Sequence, residues 1–289
     1  MEQVVTAINA NSSRVQQLHS NDVQLSIPGQ IGRLSATLDF ERSPTPEESP
    51  GRFRLGGEAL GSRQLDLGSN DREYWMWVKQ NKPPTVLWGR HTEFYRSAAQ
   101  EVLPVPPSFI VDAMGIVSID PRSLIYEQLY ASSSGVPGVL EIRTRIPTPR
   151  GDLTRVFHVD ESRAAILQQA VYDTNATPPK LLAVADASDF AYDGQYGVSL
   201  PRTIKVQLPP AGLAFNFEVG SNTINQPVTN PDLLWSMPKL DGHQYLDLAN
   251  PEMRGVRLGA MGNHAVSDLR KPIRPEEQSA AARLFNLWR

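Results

Sequence analysis

The chain has no cysteine among its 289 residues, and this absence excludes several kinds of chemistry. Disulfide bonds, thiolate catalysis and thiolate metal ligands all require cysteine, so none of them operates within this chain. The compartment stays open, because a lipoprotein whose acylated cysteine had been trimmed away would have the same composition.

Long apolar runs and clustered charge are also missing. No stretch of about 18 apolar residues occurs, so we expect no helix that spans a bilayer. The net charge is −3, from 28 basic and 31 acidic residues scattered along the chain. Nucleic acid is therefore not expected as a partner, because it would require a basic stripe. The first ten residues, MEQVVTAINA, lack the pattern of a signal peptide, so no export signal is expected in this chain.

Motifs for catalysis or metal binding are not recognisable. The five histidines are far apart, and none lies at ligand spacing from a second histidine or a carboxylate. No nucleophile elbow or Gly-rich phosphate loop is present. Asp186, Asp189 and Asp193 could gather a cation, but their setting, ADASDFAYDGQYG, is more typical of a turn between strands. We therefore expect no catalytic residue, no metal and no cofactor, in a protein that is not an enzyme.

The informative feature is a recurring alternation of apolar and polar residues. Leu34, Leu38 and Phe40 share one side of a strand whose other side is polar, and the same pattern returns at 140–146 and 204–219. Alternation of this kind predicts antiparallel sheet with one apolar and one solvated face. The apolar face must be buried by a second sheet, a helix or a bound apolar molecule.

The same patterns predict the individual elements. Apolar residues at helical spacing predict a helix at 2–19, and Pro107 introduces a short apolar helix that runs to Val117. We expect one main sheet of about nine to twelve antiparallel strands. Along the chain, strands are predicted near 22–28, 31–41, 52–59, 63–68, 72–79, 85–90, 124–131, 138–147, 152–160, 164–174, 180–187, 202–208 and 212–219.

One predicted strand is apolar on both faces. Trp75 and Trp77 point to one side, and Tyr74, Met76 and Val78 point to the other. A helix that covers the outer face would explain this. A second interpretation, compatible with the first, is that one face lines a ligand cavity, for which the flexible Met76 is suited.

The order of segments adds a resemblance. INANSSRVQQLHS leads into VQLSI, followed by LSATLDFER, PGRFRLGG and QLDLGSNDREYWMWV. VYDTNATPPKLLAVADASDFAYDGQYGVSLPRTIKVQL then precedes AGLAFNFEVGSNTINQP, with Pro201 leading one strand and Asn225 ending the last. Over residues 2–226 this order resembles the outer-membrane lipoprotein carrier family, the LolA/LolB-like proteins.

The resemblance implies a mainly β (α+β) fold, a curved antiparallel sheet forming an unclosed barrel with capping helices. It implies a half-barrel lipid-binding domain at 1–226. Residues 227–289 fall outside the resemblance, and their own pattern predicts a C-terminal extension, with an extended arm from Asn250 to Arg274 and a terminal helix from Glu276 to Trp288. The resemblance also implies the periplasm or outer membrane, with a lipid anchor in the full-length precursor and at most peripheral contact with the membrane. The partners would be lipid or lipoprotein acyl chains, with envelope proteins as further partners.

Candidate site residues follow from the apolar side of each strand. We predict a lipid-binding cavity lined by Leu34, Leu38, Phe40, Phe53, Leu55, Met76, Leu140, Ile142, Phe157, Val159, Ile204, Val206, Phe215 and Phe217. The short apolar helix would cover it as a lid, through Phe109, Ile110, Val111 and Met114, or fill it as a permanent plug. Arg155 shares the inner side with Phe157, and we expect it to reach the rim rather than to hold the lid or a lipid head group.

Three functions stay open at this point. In the first, the protein binds acyl chains and, more specifically, carries them. In the second, it is a non-catalytic structural or interaction lipoprotein with a filled core. In the third, it is an envelope hydrolase. An apolar hollow of several hundred Å³ would favour binding. A polar cleft with a perturbed histidine or carboxylate would favour the hydrolase.

Overall fold

The computed structural model describes residues 2–27, 32–43, 51–79, 83–97, 99–125 and 138–250. They form one 14-stranded sheet and four short α-helices. The strands are β1 (Gln17–Ser26), β2 (Arg33–Glu41), β3 (Arg52–Ala59), β4 (Ser62–Ser69), β5 (Glu73–Val78), β6 (Thr85–Arg90), β7 (Val139–Ile146), β8 (Leu153–Asp160), β9 (Ala165–Asp173), β10 (Lys180–Asp193), β11 (Val198–Leu208), β12 (Leu213–Val219), β13 (Thr223–Ile224) and β14 (Gln244–Asp247). The helices are α1 (Glu2–Ser13), α2 (Ala99–Val102), α3 (Ser108–Ala113) and α4 (Pro231–Leu234).

The sheet is built from two antiparallel meanders that meet at β1 and β12. Its order is β14-β6-β5-β4-β3-β2-β1-β12-β11-β10-β9-β8-β7, with β13 paired to β1 outside this path. The end strands β14 and β7 do not pair with each other, so the barrel is unclosed and the predicted fold class is confirmed. Two details were wrong. The sheet has fourteen strands rather than nine to twelve, and β14 is parallel to β6.

The sheet curls around its apolar side. Inward side chains from both halves, among them Leu55 and Tyr74 on one side and Val206 on the other, join one apolar cluster with α3. A second inner cluster forms where Val5 and Ile8 of α1 pack on Ile142, Phe157 and Val159. The predicted packing of the N-terminal helix on the sheet is therefore correct.

The N-terminal helix is shorter than predicted. It ends at Ser13, and the chain enters β1 at Gln17 instead of continuing as helix to residue 19. The side chain of Asn225 provides the stop: its Oδ1 accepts from the backbone N–H groups of Gln16 (2.8 Å) and Gln17 (3.1 Å), and its Nδ2 donates to the carbonyl of Arg14 (2.8 Å). Apolar spacing alone does not reveal a terminator that lies so far along the chain.

The aspartate-rich segment is strand rather than turn. β10 continues through Asp186 to Asp193, and the left-handed residue Asp189 (φ 55°) interrupts its regular pairing with β11. The turn comes later, where Asp193 Oδ1 accepts from the N–H groups of Gln195 (2.8 Å) and Tyr196 (3.1 Å). Within the described ranges no group of three or more histidine and carboxylate side chains is placed to hold a metal ion.

Several predicted elements lie outside the described residues. These are most of the strand at 124–131, the arm from Asn250 to Arg274 and the terminal helix. The described part of the predicted extension, 227–250, packs onto the half-barrel through α4 and β14, and the boundary at 226 stays a prediction. None of the helices within the described ranges has the length and apolar content to cross a bilayer.

Candidate functional site

The segment 107–119, which contains α3 and which we call the lid, covers the apolar side of the curled sheet. Phe109, Ile110, Val111 and Met114 project into the main cluster and are between 4 and 7% exposed. The helix begins after Pro107 and stops at Gly115, whose φ of +81° ends the helical geometry without a Cβ clash. The four residues predicted to form the lid therefore lie over the concave face.

A polar contact fastens this apolar lid to the sheet. Arg155 on β8 points inward, and its Nη2 donates to Asp112 Oδ2 of α3 at 2.8 Å and to Gln169 on β9. Gln169 Nε2 in turn donates to the backbone carbonyl of Phe109 at 3.0 Å. The expectation that Arg155 reaches the rim was wrong: its guanidinium stacks over Phe157 at 4.6 Å and stays inside, where the lid carboxylate satisfies its charge.

Electrostatics at the lid are set by burial. The Asp112 side chain is 22% exposed and that of Arg155 is 14% exposed. Burial raises the pKa of Asp112, and the charges of Arg155 and Arg42 act in the opposite direction. Arg42 also donates to the carbonyl oxygens of Ser12 (2.6 Å) and Val15 (3.2 Å), so the end of α1 belongs to the same polar cluster.

The far end of the lid is fixed to α1. Asn9 Nδ2 donates to the carbonyl of Ile119 at 2.9 Å, and Asn9 Oδ1 accepts from the N–H of the same residue at 2.8 Å. A paired contact of this kind holds the backbone in one register. The lid is thus anchored at its exit by Asn9 and near its middle by Asp112.

The predicted lining residues are all inward, but they divide between two clusters. The main cluster, under the lid, holds Leu34, Leu38, Phe40, Phe53, Leu55, Met76, Ile204, Val206, Phe215 and Phe217. The second cluster, under α1, holds Leu140, Ile142, Phe157 and Val159. The alternation therefore identifies the inner face, whereas the position of α1 decides which part of that face the lid covers.

An apolar cavity with a volume of about 40 Å³ lies between the lid and the sheet. Of the predicted lining and lid residues, Met76, Val206, Phe215, Phe109 and Ile110 border it. Its further lining includes Leu67, Tyr74, Leu87, Leu208 and Leu248. An engineered apolar cavity of about 150 Å³ binds benzene, so a cavity of about 40 Å³ is too small for an acyl chain, and the trough is filled by lid side chains.

The outer face of β5 is also covered, as its two-sided pattern predicts. Trp75, Trp77 and Val86 form a separate cluster against Met237 and Leu240. The cover is the irregular segment 227–250, which we call the strap, and not the helix that the sequence suggested. Beneath it the indole of Trp75 lies flat against Gly68, where a Cβ would approach the ring to 2.2 Å.

Sequence reasoning missed several residues of this site, among them Asp112, Gln169 and Leu248. Asp112 and Gln169 are polar members of otherwise apolar surfaces, and the pairing of Asp112 with the inward Arg155 was a signal that could have been read. Leu248 had no such signal, because it follows the short strand β14 in a segment without the alternation that identifies the others.

Comparison with known proteins places this geometry among similar folds. No protein-family model matches the chain, and a search of curated proteins finds no match. Solved structures that it resembles include a Vibrio parahaemolyticus domain assigned to outer-membrane lipoprotein sorting, with 9% identity, TM-score 0.44, and coverage of 81% of this chain and 99% of that one. A DUF1329 family protein from Desulfovibrio piger has 10% identity, TM-score 0.46, and coverage of 79% and 95%.

A LolA superfamily protein from Nitrosomonas europaea is similar at 12% identity and TM-score 0.45, with coverage of 80% of this chain and 96% of that one. Similarity at this level assigns neither a ligand nor an activity, and the function has to be argued from the site.

Proposed function

We propose that the protein binds an acyl chain of a lipid or lipoprotein in the trough beneath the lid. In this proposal the protein acts on the periplasmic side of the bacterial envelope. A more specific version of the proposal is that it carries acyl chains between partner proteins. The structure then represents the closed, unloaded state, in which the lid side chains occupy the place of the ligand.

The observation that carries this proposal is the largely buried ion pair between Arg155 and Asp112 within the otherwise apolar contact of the lid with the sheet. A permanent plug gains most from apolar contacts, because replacing a buried ion pair by well-packed apolar residues is often neutral or stabilising. A lid that has to leave benefits from the pair, since water restores the hydration of both charges on opening. The pair therefore favours a removable lid.

Burial of an acyl chain can compensate for the apolar contacts that are lost when the lid moves away. Each buried methylene contributes about 0.8 kcal/mol, so about fifteen of them contribute about 12 kcal/mol. The ligand needs no polar partner along its length, and the cavity wall is apolar, with residues such as Met76 and Leu87. The apolar surface that the lid uncovers is thus covered again by the chain.

A paired substitution tests this function. Arg155→Met with Asp112→Leu replaces the ion pair by apolar contacts and should hold the lid in place more firmly. We expect the wild-type protein to bind palmitate in native mass spectrometry, with hydrogen exchange of amides 108–117 accelerated by the ligand, because the ligand displaces the lid. The double variant should bind it at least about tenfold more weakly. Arg33→Gln, on the outer surface with a 59% exposed side chain, is the matched control.

A second candidate is a structural or interaction lipoprotein with a filled core. The cavity of about 40 Å³ favours it, because no ligand fits without movement of the lid. It predicts that amides 108–117 are as protected as the central strands and do not respond to palmitate or phospholipid. It also predicts that the double variant behaves like the wild type in every binding assay.

A further inference from the structure

The strap contacts both faces of the sheet. On the outer face Arg54 Nη1 donates to the carbonyl of Leu234 at 2.8 Å, and Trp235 Nε1 donates to Glu41 Oε2 at 2.8 Å. The Trp235 side chain is buried, so these contacts fix the beginning of the strap. Its course from there leads across the tryptophan cluster to the edge strand β6.

At that edge the strap turns inward. β14 pairs with β6 in parallel register, and the N–H of Leu248 donates to the carbonyl of Trp88 at 2.8 Å. Leu246, which pairs with Leu87, packs on the main inner cluster, and Leu248 is 2% exposed and borders the cavity beside Met76 and Phe109. The strap therefore contributes Leu248 to one side of the cavity.

This part of the strap is attached by a short strand. β14 has only four residues, and Gln244 and Tyr245 at its start are exposed. Parallel pairs are slightly less stable per residue than antiparallel ones. Trp77 Nε1, buried beneath the strap, finds no hydrogen-bond partner among the described residues. An unsatisfied buried donor costs about 1–3 kcal/mol, and opening of the strap removes that cost because water reaches the indole.

We infer that the strap is a displaceable wall of the cavity and that an acyl chain enters laterally, between Leu248 and β6. This entrance rests on the proposed function. The lid then yields from within as the chain advances, so the lid determines how tightly the ligand binds and the strap determines how fast it enters. Leu248 is the first side chain that the ligand passes.

The absence of cysteine allows a direct test of strap opening without any lipid. Leu248→Cys and Met114→Cys place one thiol behind the strap and one beneath the lid, at positions that are 2% and 5% exposed. We expect N-ethylmaleimide to label position 248 at least tenfold faster than position 114. Leu233→Cys, at a 74% exposed strap position, gives the unhindered rate. Labelling at 248 as slow as at 114 would overturn the inference, whatever the protein binds.

A disulfide lock tests the entrance itself. Asp247 and Trp88 are register partners on β14 and β6, so Asp247→Cys with Trp88→Cys can be oxidised to fasten the strap beside Leu248. We expect the oxidised protein to take up cis-parinaric acid at least tenfold more slowly than the same protein reduced with dithiothreitol. The reduced form controls for the loss of the two native side chains.

The outcomes of these experiments distinguish the lateral entrance from the proposed binding of an acyl chain. Equal uptake by the oxidised and reduced proteins would reject the strap as the entrance and leave acyl binding intact. Failure of the wild type and of both forms to take up the fatty acid would reject the proposed function, and the lateral entrance with it, even if thiol labelling shows that the strap opens. Slow uptake only in the oxidised form, with rapid labelling of position 248, would support both.

Discussion

The lid and the strap border the same cavity, yet they are held by different interactions. The lid buries four apolar side chains and closes on an Arg155–Asp112 ion pair. The strap contributes Leu248 to the cavity wall, and its short strand β14 is held at the edge of the sheet mainly by backbone pairing. One element is thus integrated in the core, and the other is attached to its border.

This difference teaches where each element draws its stability. Loss of a lid contact leaves a charge or a hollow inside the main cluster, so the whole sheet is affected. Loss of a strap contact leaves an edge strand that can detach while the sheet stays folded. The substitutions below therefore separate global from local effects, beginning with the largest.

The largest effect is expected from breaking the lid ion pair on one side only. Arg155→Met leaves Asp112 buried beside the distant Arg42, and removal of one partner of a buried pair costs about 3–5 kcal/mol. We expect a loss near 3 kcal/mol in urea unfolding, at the lower end because Asp112 keeps 22% exposure. Addition of Asp112→Leu should restore most of it. A single variant as stable as the wild type would show that the pair does not hold the lid.

A smaller effect is expected from removal of the anchor of the strap. Trp235→Ala deletes a buried indole and its hydrogen bond to Glu41. Such a change in a core costs about 3–5 kcal/mol, but here the loss is limited by local detachment, and we expect about 1–2 kcal/mol in global unfolding. Hydrogen exchange of amides 244–248 should accelerate, while β1 to β3 stay unchanged.

Leu233→Ala is the matched control for this prediction, because Leu233 belongs to the same strap and is 74% exposed. Its effect should stay within about 0.5 kcal/mol. Equal acceleration of exchange in the strap and in β1 to β3 after Trp235→Ala would make the strap part of the cooperative core, and the contrast with the lid would disappear.

The contrast also explains which elements the sequence could predict. β2 to β6 lie within two residues of the predicted bounds because their alternation is imposed by the buried inner face. β14, with the sequence QYLD, is short, half-exposed and paired in parallel, so its composition carries no comparable constraint. The apolar outer face of Trp75 and Trp77 indicated that something covers it, but not which segment.

The sequence predicts which side chains of the site point inward, but it does not predict how they divide between the two apolar clusters. Leu38 and Phe157 both follow from alternation, yet one lies beneath the lid and the other beneath α1. That division depends on where helices far apart in the chain dock. The role of Arg155 was missed for a related reason: a charged inward side chain was expected to reach water, and its partner Asp112 lies on another element.

The smallest effect is expected in the pH dependence of the free energy of unfolding. His91 beside the strap and Asp112 on the lid contribute to this dependence with opposite signs. His91 follows β6, the strand that carries the strap, and its Nε2 donates to the carbonyl of Asn70 at 2.9 Å. Burial lowers the pKa of His91 below its usual 6.5, although Asn70, Asp71 and Glu73 oppose this. A histidine whose pKa is lower in the folded state than in the unfolded state stabilises the folded state at pH values above its unfolded-state pKa. This stabilisation is lost as the pH falls through the folded-state pKa.

The lid behaves in the reverse way. Burial raises the pKa of Asp112 above its usual 3.8, so its contribution to stability is complete below 3.8 and is lost as the pH rises through the folded pKa. Acidification from pH 8 to 5.5 should therefore destabilise the strap side through His91. We expect His91→Gln, whose amide can still donate to Asn70, to lose less stability than the wild type over this range in urea titrations. An identical loss in both proteins would remove His91 as the cause.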